Sequence, residues 1–184
     1  MLAVPSFGCG GSHAPPDRAP VERSDKRAAL PKGWTRVVNR RAGFNLGIPP
    51  GWKARGGPGS TIVRSRDRAL AISVTADRGA DGRNLKVTSY ARRSVRALRG
   101  YRDLQVGTIS PLVGTRYPAA AVKAEGTFKK TGLRQAIILF VLQKRRAATF
   151  TMLFFRSARV PRDRYAAVIS AIVRTLRAQA PRAG

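Results

Sequence analysis

The sequence predicts an α+β fold: an α/β/α sandwich whose mostly antiparallel sheet of about six to eight strands is covered by two helices. Three observations carry this. Short segments with large apolar residues at period two recur between residues 34 and 155, the pattern of half-buried strands. Two segments place their apolar residues at helical spacing instead. The second half also holds three consecutive strand patterns joined by short polar turns, which read as a meander. Strands, helix, strands, helix is an order that lets both helices lie on the sheet. The stretch from 34 to 178 is long enough to bury a core, and it shows neither an internal repeat nor a second domain.

Residues 34–39 form the first strand. Phe44, Leu46 and Ile48 alternate in the second, which stops at Pro49-Pro50 because proline cannot donate to a ladder. Residues 61–64 and 69–75 pair next across a polar turn, with Leu70, Ile72 and Val74 on one face. The glycine-containing stretch 77–83 is a loop. Asn84 is the expected cap of a helix of about fifteen residues ended by Gly100, with Val87, Ala91, Val95 and Leu98 inward and Arg92, Arg96 and Arg99 outward. Strands follow at 104–109, 119–128, 133–142 and 148–155. The third of these is the most apolar, and the fourth sets Phe150, Met152 and Phe154 on one face. Pro161 opens the closing helix, whose stripe is Tyr165, Val168, Ile169, Ile172, Val173 and Leu176.

The charge is lopsided: 36 Lys+Arg face 9 Asp+Glu, for a net +27. Residues 34–184 carry 31 of the basic and 6 of the acidic side chains, so the excess belongs to the folded part and not to a tail. Arginine dominates, which a GC-rich genome would also produce. The physics holds under either origin: such a domain attracts polyanions over a screening length of about 8–10 Å. Nucleic acid, anionic lipid headgroups and acidic envelope polymers all qualify.

The N-terminus suggests which of these is met. A short apolar stretch runs into Gly8-Cys9, and the composition then turns to Gly, Ser, Pro and charge. This resembles a bacterial lipoprotein export signal, in which a small residue precedes the cysteine that receives the lipid. Eight uncharged residues are few for such a signal, which a start upstream of Met1 would explain. The competing reading is an incidental free thiol. Residues 10–33, with four prolines, three glycines and little apolar periodicity, have the composition of a spacer between an anchor and a domain. The expected organisation is therefore a signal remnant at 1–9 with Cys9 as the lipidation site, a flexible spacer at 10–33, a domain at 34–178 and a disordered tail at 179–184. The expected location is outside the cytoplasm, tethered to the cell membrane.

The element order, the run Gly43-Phe-Asn-Leu-Gly-Ile-Pro-Pro-Gly-Trp52 and the closing Ile172-Val-Arg-Thr-Leu-Arg177 resemble the PsbP/Mog-like family, in particular its bacterial lipoproteins of actinobacterial type. The resemblance covers roughly residues 34–178. It implies an α/β/α sandwich around an antiparallel sheet and a binding or adaptor role. It implies no particular activity, because members range from small-GTPase binding to photosystem assembly.

Catalytic chemistry has little to stand on. The one histidine, His13, lies in the spacer, so no Ser-His-Asp or Cys-His arrangement is available in the domain. One cysteine and one histidine exclude a Cys/His metal cage. Asp77 and Asp81 share one loop as turn formers, and Gly56-Gly-Pro-Gly59 lacks the Gly-Lys-Ser/Thr ending of a phosphate loop. Trp34 and Trp52 read as packing residues. No apolar run approaches the ~18–20 residues of a membrane span. The expectation is a non-enzymatic, cofactor-free and metal-free binding module. Its partners would be an anionic membrane surface or acidic envelope polymer, with an unknown protein or small ligand besides. Arg92, Arg96 and Arg99 are the candidate anion-binding residues. The alternative is a cytoplasmic nucleic-acid-binding protein. It is disfavoured because aromatics are only 7% and fall mostly in core patterns, whereas single-strand binders interleave exposed aromatics with cations.

Overall fold

The computed structural model describes residues 30–161 and 163–180. In chain order the elements are β1 (Thr35–Asn39), β2 (Phe44–Ile48), β3 (Lys53–Gly56), β4 (Ser60–Arg64), β5 (Leu70–Asp77), α1 (Ala80–Asn84), α2 (Val87–Arg96), β6 (Tyr101–Val106), β7 (Ser110–Leu112), β8 (Ala119–Phe128), β9 (Arg134–Lys144), β10 (Ala148–Ser157), α3 (Ala166–Thr175) and β11 (Arg177–Ala178). Eight strands form one antiparallel sheet in the order β3-β4-β5-β10-β9-β8-β6, with β7 also paired to β8. A second sheet has the order β1-β2-β11. The expected α+β architecture is thus present, with a small second sheet besides.

The expected meander is β8-β9-β10, in continuous register from Ala119↔Leu142 to Thr127↔Arg134 and from Ala148↔Lys144 to Ser157↔Gln135. Pairing of β10 with β5, from Thr149↔Asp77 to Arg156↔Leu70, joins the two halves of the chain. Alternation then gives the sheet two apolar faces. On one, Leu70, Ile72, Val74, Phe150, Met152 and Phe154 are buried against Phe44, Leu46 and Ile48 of β2, Ile169 and Ile172 of α3, and Leu176, which ends that helix. The Phe44 and Phe150 rings meet edge to face, with centroids 6.2 Å apart. On the other face, Ala91 and Val95 of α2 pack on Ala120, Val122, Leu139 and Val141. The small residues of β8 let that helix approach closely.

β2 is buried along its whole length, which its period-two pattern alone does not require. Its second face is covered as well: a side chain at Gly47 would run into Leu30 and come within 3.3 Å of the Trp34 ring and 3.2 Å of Thr175. Thr175 Oγ1 accepts from the Gly47 N–H at 2.8 Å, continuing the edge that β11 begins. Trp34 and Trp52 pack on the core, Trp52 edge to face with Tyr165.

Several expectations need correction. The single helix expected from Asn84 to Gly100 is two: α1 ends at Asn84, and α2 starts only after Lys86, whose extended ψ of 144° breaks the run. The break has a cause, since the Leu85 carbonyl accepts from Gln143 Nε2 at 2.7 Å instead of continuing a helix. The cover therefore includes three helices, not two. β3, β7 and β11 were not anticipated, and the strand expected at 104–109 lies at 101–106 with an irregularity between Arg102 and Gln105. Leu30 already packs on Gly47, inside the expected spacer, and Gln179 donates to the Gly43 carbonyl at 2.8 Å, inside the expected tail. Cys9 and His13, with the rest of residues 1–29 and residues 181–184, lie outside the described residues.

Candidate anion-binding surface

The arginines of this domain divide by what they touch. One group clips backbone together. Arg78 Nη2 donates to the carbonyls of Ala42 at 3.0 Å and of Gly43 and Gln179 at 3.4 Å, tying the end of β5 to both the β1–β2 turn and the C-terminal strand. Arg156, buried on β10, donates to the Ser157 and Val160 carbonyls. A second group pairs with carboxylates: Arg93 with Asp81, Arg134 Nε with Glu125 at 2.6 Å, and Arg164 Nη2 with Asp67 at 2.8 Å. Asp77 is engaged otherwise, accepting from the Gly79 N–H at 2.8 Å and the Tyr90 hydroxyl at 2.9 Å. Burial and the Asp77 carboxylate push the Tyr90 hydroxyl pKa up to about 12. Six carboxylates against 31 cations between 34 and 184 leave most of the positive charge facing solvent.

α2 carries part of that remainder. Its inward side is set by Ala91 and Val95, so Arg92 and Arg96, four residues apart, share the exposed side. Arg99 is exposed but does not continue their row. Ala97 caps the helix, and Arg99 lies in the following turn, its N–H donating to the Ala97 carbonyl at 2.8 Å. The expected three-residue stripe is therefore a helical pair plus a turn residue. Arg93 adds a third exposed cation on the same helix, partly offset by Asp81.

A further cationic grouping had no signal in the sequence. Arg177 sits across from Asn45 in the β11–β2 ladder, and Arg36 Nη1 donates to Asn45 Oδ1 at 2.8 Å. Arg177 Nη1 is fixed by the carbonyls of Arg174 and Leu176 at 2.5 and 2.9 Å. Burial, then the neighbouring Arg116 and Arg36 charges, lower the Arg177 pKa. Arg36 and Arg177 are 141 positions apart in sequence, and the small sheet brings them together.

Among the described residues, no group of three or more His, Cys, Asp or Glu is placed to hold a metal ion, and no helix is long and apolar enough to cross a membrane. The large apolar side chains most exposed there are Val38, Ile62, Val106, Val113 and Leu133, none of them aromatic.

No protein-family model matches the sequence, and a search of curated proteins finds no significant match. Solved structures do match. A Bacteroides thetaiotaomicron crystal structure is 17% identical with a TM-score of 0.55, over 80% of this chain and 49% of that one. The chain thus spans about half the length of that protein. The Saccharomyces cerevisiae Ran-binding protein Mog1p is 7% identical with a TM-score of 0.51, over 79% of this chain and 95% of that one. A single-substitution mutant of a protein named Mog1 is 8% identical with a TM-score of 0.52, over 79% and 96%. At such identities the likeness is one of fold, and the fold is Mog1-like: an eight-stranded antiparallel sheet with helices and a small second sheet packed on it.

Proposed function

We propose that this chain is a non-catalytic binding module of the cell envelope, anchored through a lipidated Cys9 and docked by its basic domain on an anionic surface of lipid headgroups or acidic polymer. The observation that carries the reading is the charge itself: 31 cations against six carboxylates from residue 34 onward, four of those carboxylates already engaged within the fold. Arg92 and Arg96 on the exposed side of α2, with the exposed Arg99 in the turn that follows, form the docking face. Two signals suit stable attachment, since one lipid anchor alone binds marginally and a cationic surface supplies the second. The Mog1-like fold supports an adaptor role, the yeast neighbour being described as Ran-binding. The aliphatic character of the exposed apolar residues speaks against single-strand nucleic acid, which stacks on aromatics.

The test has two arms. The gene is expressed in its native host with its own upstream DNA, and the intact mass of the peptide carrying Cys9 is measured. A diacylglyceryl mass is expected, and an unmodified chain in the aqueous phase would overturn the anchor. Separately, the unlipidated protein is sedimented with vesicles containing 30% phosphatidylglycerol at low salt. Arg92→Gln/Arg96→Gln/Arg99→Gln should weaken binding by at least tenfold, at about 1 kcal/mol per cation near the surface. Unchanged sedimentation would remove α2 as the docking face.

A further inference from the structure

The large sheet has two ends, and they are not alike. At the β6 end the ladder is interrupted between Arg102 and Gln105, where Asp103 takes a left-handed φ of 52°. Such an irregular edge is a poor template for another strand. At the opposite end β3 is regular. Its four residues pair one to one with β4, Lys53↔Arg64, Ala54↔Val63, Arg55↔Ile62 and Gly56↔Thr61, and all four are exposed. In an antiparallel strand, alternate residues turn their N–H and C=O groups away from the neighbour, so β3 holds out backbone donors and acceptors for a further strand.

Charge decides which strand fits. The register puts Lys53, Arg55 and Arg64 on the same face of the sheet as the exposed Ile62, and residues 49–66 contain no acid. A second copy of the chain pairing edge to edge would set Lys53 and Arg55 against their own kind, and like charges directly opposite destabilise a pair. A strand carrying carboxylates at alternate positions would place them against the same cations. Pro49-Pro50 before β3 and Gly57-Pro58 after it confine the pairing to about four residues.

We propose that the β3 edge is the docking site for a short acidic polypeptide in extended conformation, which adds a ninth strand to the sheet with its carboxylates over Lys53, Arg55 and Arg64. This rests on the domain being a binding module, but not on its attachment to a membrane. Specificity comes from alternation of charge along an extended backbone, and the same cations exclude self-association.

The probe is an end-blocked seven-residue peptide of alternating glutamate and valine, titrated into the 15N-labelled full chain and followed by amide shifts. Shifts should concentrate on residues 53–56 and 60–64. Lys53→Gln/Arg55→Gln should weaken binding about tenfold while leaving vesicle sedimentation unchanged, which separates this site from the α2 face. The same peptide N-methylated at alternate amides, on the set that faces β3, should lose binding, as should one with lysine in place of glutamate. Equal binding of either control peptide, shifts centred on residues 87–99, or no saturable binding at millimolar peptide would each overturn the proposal.

Discussion

Asp67 holds the turn between β4 and β5 to the start of α3, and acid should release that hold. Its carboxylate accepts from Ser65 Oγ at 2.6 Å, from the Ala69 N–H at 3.1 Å, from Arg164 Nη2 at 2.8 Å and from the Tyr165 hydroxyl. The Ser65 and Tyr165 hydrogen bonds lead in lowering its pKa from 3.8 to about 2. A depressed carboxylate contributes stability that is present above its unfolded pKa and lost as pH falls through the folded one, here between about pH 4 and pH 2. At 1.36 kcal/mol per pH unit the shift corresponds to at most ~2.5 kcal/mol. The side chain is 39% exposed, so solvent screening reduces this to about 1 kcal/mol. Asp67→Asn keeps the volume and removes the charge. Urea unfolding at pH 7 should show the variant about 1 kcal/mol less stable at an unchanged m-value. The deficit should shrink steadily below pH 4, with most of it gone near pH 2. A variant as stable as the parent at pH 7, or a deficit equal at pH 7 and pH 2, would refute the reasoning.

Two further substitutions test the layers on either face of the sheet. Phe150 is fully buried against the Phe44 ring, so Phe150→Ala should cost about 3–5 kcal/mol by denaturant unfolding, and a loss below ~1.5 kcal/mol would mean the two sheets do not share this core. A side chain at Gly82 would lie 2.7 Å from Asp77 Cγ, and the Gly82 carbonyl accepts from Thr149 Oγ1 at 2.6 Å. Gly82→Ala should therefore lift α1 off the sheet at a cost of about 1–3 kcal/mol. By disturbing Asp77 it should also lower the Tyr90 hydroxyl from about 12 in an ultraviolet pH titration, but only part of the way, since burial is the larger cause of that shift.

What the sequence makes legible here is what local pattern dictates. β8, β9 and β10 follow from alternation and turns within a few residues, and the inward row of α2 follows from Ala91 and Val95 at helical spacing. What stays hidden depends on distant partners. β3 is four residues between prolines and glycines, and it is a strand because β4 offers a ladder. β11 is two residues whose strand state comes from Asn45 and Phe44, more than 130 positions earlier. The break between α1 and α2 is set by Gln143, on β9. The same distinction runs through the candidate sites. Arg92 and Arg96 are readable as neighbours because a helix puts them four apart, whereas Arg36 and Arg177 meet only in the folded small sheet.

The arginine excess is best understood as two populations with different consequences. Arg78 and Arg156 each donate to more than one backbone carbonyl from a single guanidinium nitrogen, so these two cations are tied to the fold whatever the genome composition. The cations of α2 and β3 make few such contacts and repel one another across a domain with almost no free carboxylate. That repulsion opposes folding, and the apolar core must outweigh it in the isolated protein. An acidic partner would turn the same charges from a cost into a favourable contribution. Binding to the folded form alone stabilises it in proportion to ligand concentration over Kd, so a bound polyanion both neutralises the surface and deepens the native state.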